Sequence, residues 1–206
     1  MNPPLEIAGR IAVEDSGASV ELGKVQLLLV GEGTATYSLN SDSTGRFTVS
    51  RVQPGSYSLQ IRRFPEDCYV REARFGGKVI SLEDTFEIAA SGQMDIVLSR
   101  TGGAVAGTVV DADGKPFPFG IVSLISTDGK SWPAKQDVDV RGSFRFSSVR
   151  PGKYKLFAWE EVDDDLWPDT DFWKKFEDAA TEVTVGPSET VNMQPRAILS
   201  EALFGK

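Results

Sequence analysis

Two stretches of the chain, QPGSYSL (53–59) and RPGKYKL (150–156), both write Pro-Gly-x-Tyr-x-Leu. The match reaches outward. Gly45, Phe47, Val52, Pro54, Gly55, Tyr57 and Leu59 correspond to Gly142, Phe144, Val149, Pro151, Gly152, Tyr154 and Leu156, every pair displaced as Gly142 is from Gly45. Seven identities at one displacement mark an internal repeat. EIAGRIAV (6–13) pairs with AVAGTVVD (104–111), sharing Gly9 and Gly107; GKVQLLL (23–29) pairs with GIVSLIS (120–126); TFEIA (85–89) pairs with EVTVG (182–186). The chain therefore reads as two copies of one unit, residues 1–100 and 101–206, joined near SRTGG at 99–103.

Each copy reads as β. Phe47 and Val49 alternate with polar residues, as do Tyr57, Leu59 and Ile61, then Phe144 and Phe146, then Tyr154 and Leu156. A period of two sets such side chains on one face of a strand. Asp113-Gly114 and Asp128-Gly129 mark tight turns. Pro-Gly between two strands predicts a type II turn, because proline presets φ at the second position and glycine accepts a positive φ at the third. About seven short strands per copy, with turns every eight to twelve residues, describe a β-sandwich. The repeated tyrosine stands just past the turn. Its ring can enter the core while its hydroxyl bonds backbone, as in the tyrosine corner of immunoglobulin-like domains.

Composition narrows the chemistry. The 206 residues contain no histidine, which removes the commonest general base and the commonest zinc ligand. The one cysteine, Cys68, permits no internal disulfide and lies in an apolar-alternating run, DCYVREARF, as a small core residue would. A net charge of −8 opposes phosphate backbones and anionic headgroups, so neither nucleic acid nor insertion of this segment into a membrane is expected. The first residues, MNPPLEIAGR, lack the basic flank and apolar stretch of a signal peptide. No enzyme activity and no cofactor are expected.

GTVVDADGKPFPFGIVSL, followed by GSFRFSSVRPGKYKLFAWE, resembles the carboxypeptidase regulatory-like domain. The matching positions are Gly107, Val109, Asp111, Gly114, Pro116, Gly142, Phe144, Pro151, Gly152 and Tyr154. The resemblance covers residues 103–195 well and 5–98 more weakly, since the first copy has EDSGASVELG where the family has its Gly-x-Pro turn. Phe119 stands where the family usually has glycine. The resemblance implies an all-β chain: two tandem prealbumin-like or Ig-like (transthyretin-like) antiparallel β-sandwiches. It implies an appended module with no catalytic residues, found beside metallocarboxypeptidase domains or in arrays of exported bacterial proteins. The compartment it implies is periplasmic, outer-membrane-associated or secreted.

Between Glu160 and Ala180 the copies part. The second reads EEVDDDLWPDTDFWKKFEDAA, with seven carboxylates between Glu160 and Asp171 and no base. The first has RRFPEDCYVREARFGGKVISLED, which reads as an extra strand pair. In the insert, Pro168 and Asp169 can open a short helix, Lys174 and Lys175 suit its end, and Phe172 and Phe176 at i and i+4 give it one apolar face. Calcium is the competing reading, with Asp163, Asp165, Asp169 and Asp171 as ligand candidates, although Trp167 occupies the third ligand place of an EF-hand and no glycine supports the turn. A glycan platform is a second competitor, with Trp167 and Trp173 as stacking rings beside those carboxylates. The expected orientation has Trp159, Phe172 and Phe176 facing the sandwich and Asp163, Asp164 and Asp165 facing solvent. The partners this leaves are a protein or a cell-surface polysaccharide. The first strands AVAGTVV and EIAGRIAV hold no lysine, so no Lys–Asn cross-link is expected. The sequence thus points to a non-catalytic structural or interaction module, with carbohydrate binding through the insert as the alternative.

Overall fold

The computed structural model describes residues 4–14, 20–31, 35–63, 65, 67–82, 84–131, 133–163 and 170–203. The chain forms two compact units, with the main division between Gly102 and Gly103. In the first, the strands are β1 (Leu5–Val13), β2 (Gln26–Gly31), β3 (Thr36–Asn40), β4 (Arg46–Val52), β5 (Gly55–Arg63), β6 (Tyr69–Phe75), β7 (Lys78–Val79), β8 (Phe86–Ile88) and β9 (Gly92–Ser99). They form two sheets, ordered β4-β1-β9-β6-β7 and β3-β2-β5-β8. The second unit has β10 (Gly103–Thr108), β11 (Ile121–Ser126), β12 (Ala134–Asp137), β13 (Ser143–Val149), β14 (Gly152–Trp159), α1 (Thr170–Lys175), β15 (Thr181–Val185), β16 (Thr190–Met193), β17 (Ala197–Ile198) and α2 (Ser200–Leu203). Its sheets run β13-β10-β16 and β12-β11-β14-β15, with β17 joined to β14.

The two units share one plan. β4-β1-β9 is matched by β13-β10-β16, and β3-β2-β5-β8 by β12-β11-β14-β15. Most described pairings are antiparallel, but β1 runs parallel to β9 and β10 parallel to β16. Parallel neighbours need a long crossover. Here the rest of the unit supplies it, because its first and last long strands lie side by side.

Period-two patterning sets the cores. In the first unit Ile7, Ile11, Leu27, Leu29, Leu39 and Leu59 are fully enclosed. In the second, Val105, Val122, Leu124, Phe144, Leu156 and Val183 close on one another. Cys68 is buried, and burial pushes its thiol up in pKa, away from the reactive thiolate.

Three turns repeat one local device. The carboxylates of Asp42, Asp111 and Asp139 each accept backbone N–H bonds from two and four residues on: Thr44 and Arg46 at 2.8 and 3.0 Å, Asp113 and Lys115 at 2.9 Å each, Arg141 and Ser143 at 2.8 and 2.7 Å. The glycine three places after each aspartate, Gly45, Gly114 or Gly142, has φ of +78°. Hydrogen bonding holds two of these carboxyls below the usual aspartate range, Asp42 chiefly through the Thr44 hydroxyl and Asp139 chiefly through the Ser143 N–H.

The Pro-Gly motif corrects one expectation. Neither Gly55 nor Gly152 has a positive φ; both start strands, opposite Ile88 and Val185. The left-handed residues come earlier, at Arg51 (φ +64°) and Ser148 (φ +58°), where β4 and β13 slip register against β1 and β10. These are β-bulges. A chain reversal is not required at Pro-Gly, because β4 and β5 lie in different sheets, as do β13 and β14. The motif instead carries the chain around the edge of the sandwich. The tyrosine fixes that corner: Tyr57 donates its hydroxyl to the Gln53 carbonyl at 2.7 Å, and Tyr154 donates to the Arg150 carbonyl at 2.6 Å. Both rings are buried.

Candidate functional site

The chain interval after β5, and its counterpart after β14, is used in two different ways. In the first unit it makes the β6–β7 hairpin, which extends one sheet beyond β9. In the second it makes α1 and a short 3-10 turn (Glu177–Ala179) that lie on the outer face of the β14 sheet.

The reason is written in β14. Leu156 and Ala158 point into the sandwich core, while Phe157 and Trp159 point outward. The equivalent outward positions of β5 hold Gln60 and Arg62, which suit water. An outward Phe and Trp need cover. The Trp159 ring is fully enclosed, and its Nε1 donates to Ser123 Oγ at 3.1 Å, so the buried indole N–H is satisfied.

The insert supplies the cover. Phe172 and Trp173 lie 5.4 and 5.8 Å from Trp159 between ring centroids, and Phe176 meets it edge-on at 5.2 Å and 87°. Phe157 stacks on Trp159 at 5.5 Å and 15°, and Trp173 leans on Phe157 at 5.3 Å. Val162, and Ile198 from β17, complete the cluster. An ion pair between Lys155 on β14 and Glu177 ties the 3-10 turn to the strand and holds the Glu177 carboxyl below its usual range.

The structure places the sequence candidates as follows. Phe172 faces the sheet, Phe176 packs against it half-buried, and Asp163 is exposed, each as expected, whereas Trp159, expected to face the sandwich, points outward from it and is buried under the insert, because its place on β14 alternates with the inward Leu156 and Ala158. Trp173 is 8% exposed, so its ring is enclosed by Phe157, Trp159 and Phe172 rather than offered to a sugar. Asp171 lies on α1, with its side chain outside the described part, and Asp164, Asp165, Trp167 and Asp169 lie outside the described residues altogether. Among the described residues no three acidic, cysteine or histidine side chains converge as a metal-ligand set.

Sequence reading missed two features here. Phe157 and Ile198 belong to the aromatic cluster. The run LFAW, buried at every position, was the signal for Phe157, since a strand covered on both faces loses its alternation. The second is an open groove of about 740 Å³ beside the insert, lined by Asp178, Ala179, Arg196, Ala197, Leu199 and Glu201. It arises where the chain returns along β14 as β17, a parallel pairing of Ala158 with Ala197 and Trp159 with Ile198 that no local pattern announces. Its lining holds one guanidinium, that of Arg196, two carboxylates, those of Asp178 and Glu201, and apolar side chains.

No family model matches the chain, and no curated protein matches it. Several solved structures are similar at low identity. The Bacillus anthracis TIE protein aligns at 12% identity and a TM-score of 0.37, over 94% of this chain and 34% of that one. A streptococcal ancillary pilin aligns at 13% identity and 0.34, over 93% and 62%. A DUF3823 family protein from Parabacteroides merdae aligns at 12% identity and 0.34, over 76% and 90%. The chain therefore spans about a third of the first of these proteins.

Proposed function

We propose that this chain is a non-catalytic structural and interaction module of an exported or cell-envelope bacterial protein, built from two copies of one sandwich. The observation that carries the reading is what the insert does. It is the segment where the second unit most departs from the first, and its described aromatic side chains are spent on covering Phe157 and Trp159. An insert used as core stiffens a module; it does not present a ligand. The shared strand order of the two units and the resemblance of residues 103–195 to the carboxypeptidase regulatory-like domain support the same reading. Within this proposal the compartment is the periplasm, the outer membrane surface or the medium, and the partner is another protein.

Tryptophan fluorescence tests it. Trp159 and Trp173 are enclosed reporters beside the acidic stretch. Titration with soluble polysaccharides, and separately with calcium, is expected to leave emission wavelength and intensity unchanged. A saturable response to either would replace the module reading with that of a binding domain.

A further inference from the structure

The two units share a strand order but end one sheet differently. In the first, β9 is an inner strand, paired with β1 on one side and β6 on the other. In the second, β16 pairs with β10 and is the last strand of its sheet. β9 and β16 are equivalent by register, since Gly9 lies opposite Met94 and Gly107 opposite Met193. The edge that β6 covers in one copy is therefore open in the other.

That edge is unpaired backbone. Ala104 donates to the Glu189 carbonyl at 2.7 Å and Val110 to the Pro195 carbonyl at 3.0 Å, so the odd-numbered residues turn their backbone groups toward β10. Backbone direction alternates along a strand, which sends the N–H and C=O groups of Thr190 and Asn192, and of Gln194 next along the chain, to the open side. Among the described residues none of these groups has a backbone partner, and all three residues are exposed. The core records the same gap. On β9, Met94, Ile96 and Leu98 are fully enclosed, and β6 sets Phe75, Ala73 and Val70 opposite them. On β16, Val191 and Met193 pack against the second core but are only half-buried.

Folded proteins commonly guard open edges with charge. The edge strands β4, β7, β8, β12, β13 and β15 each carry a charged residue. TVNMQ, residues 190–194, carries none. β3 is uncharged as well, but its equivalent β12 is also an edge, so the repeat supplies no partner for it. We infer that the β16 edge pairs with the same edge of a second copy of this chain, antiparallel across a two-fold axis at Asn192. The first unit supplies the precedent, because β6 meets β9 antiparallel. A two-fold axis normal to the sheet sets two identical strands antiparallel, and the contact closes on itself. TVNMQ complements itself in that register. Asn192 meets its own copy, Val191 meets Met193 on the core side, and Thr190 meets Gln194 on the water side. No like charges are opposed. Val191 and Met193 gain cover of the kind that Phe75 gives Met94. This inference rests on the module reading and names its partner.

Five residues a side form a contact smaller than a standard interface, so the dimer is expected at about 0.1–1 mM chain. Sedimentation velocity of the full chain up to about 1 mM tests it, alongside amide hydrogen exchange. The wild type is expected to pass from monomer to dimer with no larger species. Exchange is expected to slow most at Thr190, Asn192 and Gln194 as the dimer forms. N192P removes an N–H that the β10 ladder does not use, and is expected to weaken dimerisation at least ~10-fold. T190K/Q194K sets lysines opposite each other and is expected to weaken it likewise; mixed with T190E/Q194E, it is expected to form the mixed dimer. Circular dichroism shows whether each variant is folded, and the exposed T190K/Q194K pair carries the test if N192P is not. A wild type monomeric throughout overturns the inference. So do growth beyond a dimer, a dimer that survives the folded variants, and protection that falls elsewhere. A monomer here would overturn only the edge pairing, whereas the module reading stands or falls on its own fluorescence titration.

Discussion

Phe119 is at odds with its surroundings twice over. It is 74% exposed, and its φ of +62° is in the left-handed region. The sequence had already set it apart as an aromatic at a place where the resembled family carries glycine; the backbone keeps the glycine-like conformation and the side chain bears the strain. An L-residue there costs about 1–2 kcal/mol, while glycine elsewhere loses roughly 0.5–1 kcal/mol through the freedom it gains on unfolding. Phe119→Gly is therefore expected to stabilise the second unit by about 0.5–1 kcal/mol in chemical denaturation. Destabilisation would mean that the exposed ring contributes packing that outweighs the strain. The tyrosine corners are a contrasting case at the same scale, since residue type and position alone forecast both the buried ring and the backbone bond that Tyr57 and Tyr154 make.

Among elements, α1 has the fewest resources of its own. Six residues are too few for a helix to persist by propensity in water. It is held by Phe172 and Trp173, both buried against β14, and by the Lys155–Glu177 pair beside it. The pair is partly solvent-exposed and contributes little. The rings dominate. Phe172→Ala is expected to cost about 3 kcal/mol, near the lower end for a buried phenylalanine because the cluster is a thin outer layer. The emission of Trp159 and Trp173 should shift to the red as the cover loosens. A loss below ~1 kcal/mol with unchanged fluorescence would show that the insert is dispensable to the sheet it covers. The helix was legible from Phe172 and Phe176 at i and i+4. Its target was not, because that depends on which face of β14 Phe157 and Trp159 occupy.

For the whole molecule, the shared strand order gives each unit its own pair of sheets, core and tyrosine corner. Residues 103–206 expressed alone are expected to fold and unfold cooperatively, with a heteronuclear NMR spectrum as dispersed as that of the same residues in the full chain. A collapsed spectrum would show that the second core needs the first unit. The repeat that suggests this experiment was visible in the linear sequence, as were the strands, the turns at Asp113-Gly114 and Asp128-Gly129 and the inward-facing residues of each sheet. All of these follow from short-range rules: period-two alternation, a side-chain oxygen bonding backbone two and four residues on, glycine where φ turns positive. What lay beyond them was set by long-range pairing. The parallel union of β1 with β9, the crossing of Pro54-Gly55 and Pro151-Gly152 between sheets, the return of β17 along β14 and the alignment of Arg46 with Arg10 each join residues that are far apart in sequence. No local pattern encodes such a partner, because strand pairing is backbone hydrogen bonding, alike for nearly every residue. The choice among partners falls to the packing of the complete core.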